Sequence, residues 1–314
     1  MGGLIAATAA RAEDAPKLAP AKVPFGGFCL NTSTVRTADG KSRSIVDLIA
    51  IAAKAGYAAI EPWISELDEY TKGGGTLADL KKRIADAGLV VPNAIGFAEW
   101  IVEDDARRKK GLEQAKLDMD KVLQIGGSRM AAPPTGATGG TSKRDDPKYT
   151  APVELLAAAD RYRALFDIGK ERGVTPIVEV WGFSRTLSRL GETLLVAAES
   201  GRDGGAILPD IYHLYKGGSD FTGLNILGPK SIGIFHVNDY PKLDRTKIGD
   251  ADRVFPGDGI APMKEIFTAL QAIGYRGFLS LELFNRTYWK QEPNEVAKTG
   301  LEKLKAVIAT ALAG

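Results

Sequence analysis

The sequence predicts an α/β fold, a single-domain (β/α)8 TIM barrel, from three observations. Short Val- and Ile-rich runs alternate with longer segments of helical period from Phe25 onward. Eight such units can be counted. The turn that an open doubly wound sheet requires is missing: G-x-G-x-x-G is expected after its first strand, and the chain reads NTSTVR there. The strand candidates, in order, are GGFCLN (26–31), AAIE (58–61), VVPNA (90–94), SRMAA (128–132), TPIVEV (175–180), GAILPD (205–210), SIGIFHV (231–237) and FLSLEL (278–283). Between them, apolar residues recur at helical spacing, as at Leu77, Leu80, Ile84 and Ala87. Most helical segments close on a glycine just before the next strand, Gly56 and Gly173 among them, which fits the left-handed residue that follows a helix.

A chain of 314 residues with 44% hydrophobic and 25% charged residues can build a sizeable packed core. Its 41 Lys plus Arg against 39 Asp plus Glu leave a net charge of +2 with no concentrated basic stripe, so a nucleic-acid partner is not expected. No apolar run reaches the ~18 residues of a membrane span. The lone cysteine, Cys29, excludes an internal disulfide and reads as a small buried hydrophobe. Residues 1–24 form a separate segment ahead of the barrel (25–314). Its small apolar run ending Ala-Arg-Ala, followed by a Pro-rich stretch, is signal-like and predicts a periplasmic or exported protein, with a disordered cytoplasmic tail as the alternative. Two long loops interrupt the pattern, at 133–149 after strand four and 240–255 after strand seven. The first contains GATGGTSK, which fails the phosphate-loop spacing and reads as a lid.

Barrel enzymes carry their chemistry at the C-terminal ends of the strands. In strand five, Thr175, Ile177, Glu179 and Trp181 share one face. Strand six ends at Asp210, in phase with Ala206 and Leu208. Strand seven places His236 in phase with Ile234 and Asn238. In strand eight, Glu282 opposes the Leu279, Leu281, Leu283 stripe and so points into the lumen. Four consecutive strands thus end in ionisable side chains, one of them among only two histidines in the chain. Three carboxylates converging at a barrel mouth need a cation, and three oxygen ligands with one imidazole suit a single divalent ion: Mn²⁺, Mg²⁺, Co²⁺ or Zn²⁺. The alternative is that each acid caps a helix or pairs with a surface base.

These residues resemble the xylose isomerase-like sugar phosphate isomerase/epimerase barrels over roughly residues 25–312. The markers are IVEVWG around Glu179, D-x-x-H at Asp210–His213, H-V-x-D at His236–Asp239, R-x-x-P-G-D-G at Arg253–Gly259, and GYRGFLSLEL closing on Glu282. The resemblance implies that Glu179, Asp210, His236 and Glu282 hold the metal and that His213 and Arg253 contact substrate oxygens. For His213 a loop-packing role is the alternative, and for Arg253 a local pair with Asp252 or Asp258. The family's ketohexose epimerases continue the strand-five Glu into Pro-x-Asn-Arg, whereas this chain reads Val180-Trp181-Gly182-Phe183-Ser184-Arg185, which weakens that specific assignment. All four tryptophans (Trp63, Trp100, Trp181, Trp289) follow strands and suggest an aromatic-walled pocket, with Trp181 and Trp63 as substrate contacts.

The implied activity is an isomerase or epimerase of a small carbohydrate or sugar derivative. It abstracts a proton beside a carbonyl through a metal-stabilised enediolate, with Glu179 and Glu282 as the base and acid. A lyase or dehydratase of inosose or 3-keto-sugar type, using the same enediolate, is the first alternative, and a non-catalytic sugar-binding barrel the second. A nuclease on this barrel would need more histidines than the chain has. Homo-oligomerisation is left open.

Overall fold

The computed structural model describes residues 24–137 and 151–313, so the signal-like reading and most of the lid reading fall outside it. Among the described residues eight strands form: β1 (Gly27–Asn31), β2 (Ala59–Glu61), β3 (Ala94–Ile95), β4 (Arg129–Ala132), β5 (Thr175–Glu179), β6 (Ala206–Leu208), β7 (Phe235–Val237) and β8 (Phe278–Leu281). Parallel ladders join β2-β1-β8-β7 into one arc and β3-β4-β5-β6 into another. Single bridges close the ring, Ala59 to Val90 and Trp63 to Ile95 on one side, Ile207 to Ile232 and Asp210 to His236 on the other. The closed barrel that the strand count predicts is therefore present. Among the described residues, no helix is long and apolar enough to cross a membrane.

Alternation within the strands separates two apolar layers. Outward residues such as Leu30, Ile60, Val178, Ile207, Phe235, Leu279 and Leu281 pack into the main core against the helices. Ile95, Ala131, Ile177, Ala206, Leu208 and Ile234 point inward and form a separate plug in the lumen. Ile177 and Leu208 each lie two residues before a predicted site acid, and the same alternation lifts Glu179 and Asp210 above the plug.

Strand three departs from expectation. The sequence places it at 90–94, but only Val90 keeps a bridge, and the ladder resumes at Ala94. Pro92 has no N–H to give the ladder, so the intervening residues swing out of it. Asn93 is left fully buried beside the lumen.

Among the described residues the surrounding helices are α1 (Ile45–Ala55), α2 (Ile64–Lys72), α3 (Leu77–Asp86), α4 (Asp105–Gln124), α5 (Leu155–Arg172), α6 (Leu190–Glu199), α7 (Ile211–Gly217), α8 (Met263–Ala272) and α9 (Pro293–Leu312). Their starts are written locally. Ser44, Thr76, Asp104 and Glu154 each accept from a backbone N–H three residues on, satisfying a donor that the helix leaves open. Gly56 and Gly173 close α1 and α5 at φ 91° and 74°, as the sequence predicts.

Ile177 is fully buried in the lumen plug. Ile177→Ala should lower the unfolding free energy by about 2–5 kcal/mol, read from urea denaturation, because the plug has no way to collapse around the void.

Candidate functional site

Glu179 is the last residue of β5, His236 the middle of β7, and Asp210 and Glu282 lie one or two residues beyond β6 and β8. Each is at most 4% exposed. Ligand atoms of Asp210, His236 and Glu282 all lie within 4.8 Å of one another. His236 Nδ1 is 3.3 Å from Glu282 Oε2 and 3.6 Å from Asp210 Oδ2. This nitrogen is buried and has no hydrogen-bond partner among the described residues. A buried, unpartnered ring nitrogen aimed between two carboxylates suits a cation site, and the donor set fits a divalent metal. Glu179 lines the same cavity with Glu282 and His213 but is not within the tight three-residue cluster. Burial, then the nearby Glu282 charge, push its carboxyl well above the usual range.

Asp210 is placed by the helix that follows it. Its Oδ1 accepts from the His213 N–H at 2.8 Å, capping α7, which leaves Oδ2 for the site. Oδ2 accepts from Asn238 Nδ2 at 3.0 Å and Arg253 Nη1 at 2.9 Å. Burial opposes the Asp210 charge, but the Arg253 and His213 side chains hold its carboxyl well below the ordinary range.

Arg253 is 1% exposed, and the local acid it pairs with is Asp250, not Asp252 or Asp258. Nη1 bridges Asp210 and Glu282 (2.8 Å to Glu282 Oε2), and Nη2 meets Asp250 at 2.8 Å and His213 Nε2 at 3.1 Å. The two acids expected beside it are engaged elsewhere: Asp252 accepts from the Gly249 N–H, and Asp258 pairs with Lys303. The guanidinium lies over Tyr212 at 4.3 Å and Phe284 at 5.0 Å.

The R-x-x-P-G-D-G run now has a physical reason. Asp239, 1% exposed, accepts from the N–H groups of Gly257 and Gly259 through Oδ2 and of Tyr240 and Ala261 through Oδ1, at 2.8–3.0 Å. A Cβ on Gly259 would lie 2.3 Å from Asp239 Oδ1, so only glycine permits this grip. With the paired backbone bonds between Asp239 and Val254, the carboxylate fixes the loop from which Arg253 projects.

His213 is 2% exposed and lines the cavity. Burial, more than any charge, lowers its pKa to about 4, so the ring is neutral. Nδ1 faces the Gly182 N–H at 3.2 Å and Nε2 faces Arg253 Nη2 at 3.1 Å, two donors of which a neutral ring can accept from only one.

Above these groups lies a cavity of about 300 Å³. Its wall is a chain of rings: Phe284 to Trp63 (6.0 Å), Trp63 to Phe97 (5.1 Å), Phe97 to Trp181 (6.5 Å) and Trp181 to Phe183 (5.6 Å). Trp63 and Trp181 thus line the cavity as expected, but Trp100 and Trp289 do not. Trp100 is 1% exposed, with its indole N–H on Pro133 O, and Trp289 donates to Ser33 O. The three phenylalanines of the wall were not singled out from sequence.

Glu61, the end of β2, was also missed. It is fully buried, Asn93 Nδ2 donates to its Oε1 at 2.7 Å, and His236 Nε2 lies 3.0 Å from the same oxygen. Asn31 Nδ2 (2.8 Å) and Ser280 Oγ (2.6 Å) donate to Oε2. The AAIE run carried the available signal, since it ends in an acid in phase with Ala59, just as the other site strands do.

With this geometry in hand, a family model described as a xylose isomerase-like TIM barrel matches residues 49–307. An inosose isomerase of Bacillus velezensis is 26% identical over 286 residues, 90% of this chain and 97% of that protein. A 3-dehydro-D-guloside 4-epimerase of Escherichia coli is 26% identical over 66% of this chain and 76% of its own length. A solved structure of an IolI protein with a bound zinc atom superposes with a TM-score of 0.79 at 23% identity, over 92% of this chain and all of that one.

Asp239→Asn would aim amide hydrogens at N–H donors inside the loop. The unfolding free energy should fall by about 1–3 kcal/mol in urea denaturation, and limited proteolysis should cut faster within 240–260.

Proposed function

The chain belongs to the xylose isomerase-like TIM barrel family, and on that premise we propose that it is a metal-dependent isomerase or epimerase of a small sugar or sugar derivative. The observation that carries this reading is the unpartnered Nδ1 of His236 facing Asp210 and Glu282 at the floor of an aromatic-walled cavity. Glu179, Asp210, His236 and Glu282 would hold one divalent ion, with Mn²⁺, Mg²⁺, Co²⁺ and Zn²⁺ all compatible with three carboxylates and an imidazole. When bound, the ion supplies Lewis acidity toward a carbonyl and its neighbouring hydroxyl.

The chain's own groups divide the remaining work. Glu179 and Glu282 both line the cavity, and in this reading one removes the proton next to the carbonyl while the other returns one. Arg253 and His213 both line the cavity and converge on one corner, where the guanidinium would donate to a substrate oxygen. The faces of Trp63 and Trp181 offer apolar contact to sugar C–H groups and keep water from the reacting carbon. Glu282 is tied by Arg253 on Oε2 and Asn31 on Oε1. Both tethers hold its orientation before substrate arrives.

Elemental analysis of the purified protein should find about one divalent ion per chain. The ion should be lost in His236→Ala, which removes the imidazole donor. Incubation with aldose, ketose and 3-keto-sugar panels in D₂O should then place deuterium at the carbon beside the carbonyl without loss of water. An unsaturated product would turn the reading to a lyase, and absence of exchange across the panels to a sugar-binding barrel.

A further inference from the structure

Glu61 plays no part in the reading above, yet it is as deeply buried as any residue of the site. Its two oxygens receive four donors: Asn93 and His236 on Oε1, Asn31 and Ser280 on Oε2. A carboxylate saturated in this way can only accept, so the ring nitrogen facing it, His236 Nε2, must carry a hydrogen. The two nitrogens of His236 are then unequal. Nε2–H is spent on Glu61, so in the neutral ring that a metal would bind the lone pair lies on Nδ1, the atom that faces Glu282 and Asp210.

We propose that Glu61 is the positioning residue of the metal centre: it fixes the tautomer and plane of His236, so that Nδ1 is the ligating nitrogen, and raises that nitrogen's basicity. The inference rests on the metal reading of the site. A ligating imidazole whose other nitrogen donates to a carboxylate is both oriented and made a stronger donor, and loss of such a partner typically weakens metal binding by about 10–100-fold. Asn31 extends the arrangement. Its Nδ2 donates to Glu61 Oε2 and also to Glu282 Oε1 at 3.1 Å, while its Oδ1 accepts from the Trp63 indole N–H at 3.1 Å. One carboxylate thus sets the histidine directly, and through Asn31 is tied to a second ligand and to the cavity wall.

The test uses the fact that the chain has only two histidines. In ¹⁵N-histidine-labelled full-length protein loaded with ¹¹³Cd²⁺, His236 should show a slowly exchanging hydrogen on Nε2 and one-bond cadmium coupling on Nδ1. Cd²⁺ titration of Glu61→Gln, which keeps an acceptor but loses the charge, should give a dissociation constant about 10–100-fold above wild type. A merely structural Glu61 would lower the melting temperature of the variant and leave the affinity of the folded protein unchanged. Cadmium coupling on Nε2, or a Glu61→Gln affinity within twofold of wild type, would overturn the role of Glu61 while leaving the metal site standing. A wild-type protein that binds no Cd²⁺ would instead overturn the metal reading, and this role with it. Should Glu61→Gln fail to fold, the wild-type spectrum decides alone.

Discussion

The structure is organised around a single electrostatic difficulty, the gathering of Glu61, Glu179, Asp210 and Glu282 in the nearly dry mouth of a barrel. Carboxylates so placed repel one another and lose their hydration, and they persist only where hydrogen bonds and positive charge replace the water. The chain answers acid by acid. Glu61 receives four neutral or histidine donors, Asp210 a helix N-terminus, Asn238 and Arg253, and Glu282 both Arg253 and Asn31. Glu179 makes no such bonds among the described residues, and it is the one whose carboxyl is pushed well up by burial and by Glu282. The group left least compensated by protein is one of the two acids that line the cavity, where a cation or a reacting proton can meet it.

The fold serves this arrangement by keeping polar and apolar layers apart along the barrel axis. Ile177, Leu208 and their neighbours fill the lumen below, so the acids sit directly above an apolar plug. The outer core holds the strands in register, and register decides which side chains meet. A one-residue slip in β5 would exchange Glu179 for Val178 in the lumen.

Much of this was legible because strand alternation is a strong constraint. Once a leucine stripe is assigned to the helix side, Glu282 has one direction left, and the same reasoning placed Glu179, Asp210 and His236. Glu61 escaped because an acid at the end of a three-residue strand, followed by Pro62, looks like any acid at a turn. Its partner His236 is 175 residues away in sequence and meets it only through barrel closure. Asn31 and Asn93 carry no charge signal at all, and Asn93 owes its position to the break that Pro92 makes in β3. Trp100 and Trp289 show the opposite error. Following a strand puts a residue near the mouth, but loops have no period to say which way a ring turns. Nearness in sequence covers only part of the Arg253 environment: Nη2 does take a local acid, Asp250, but Asp258 is taken by Lys303, and Nη1 reaches across strands to Asp210 and Glu282.

Asp239 grips its loop entirely through backbone amides, those of Tyr240, Gly257, Gly259 and Ala261. Apart from the two glycines, which must stay small, the clamp is indifferent to the side chains it holds. Outward positions such as Asp258, and Ile260 at 50% exposure, can therefore drift without moving the arginine. An evolving lineage could thus retailor the rim of the cavity for new substrates while inheriting the buried charge balance intact.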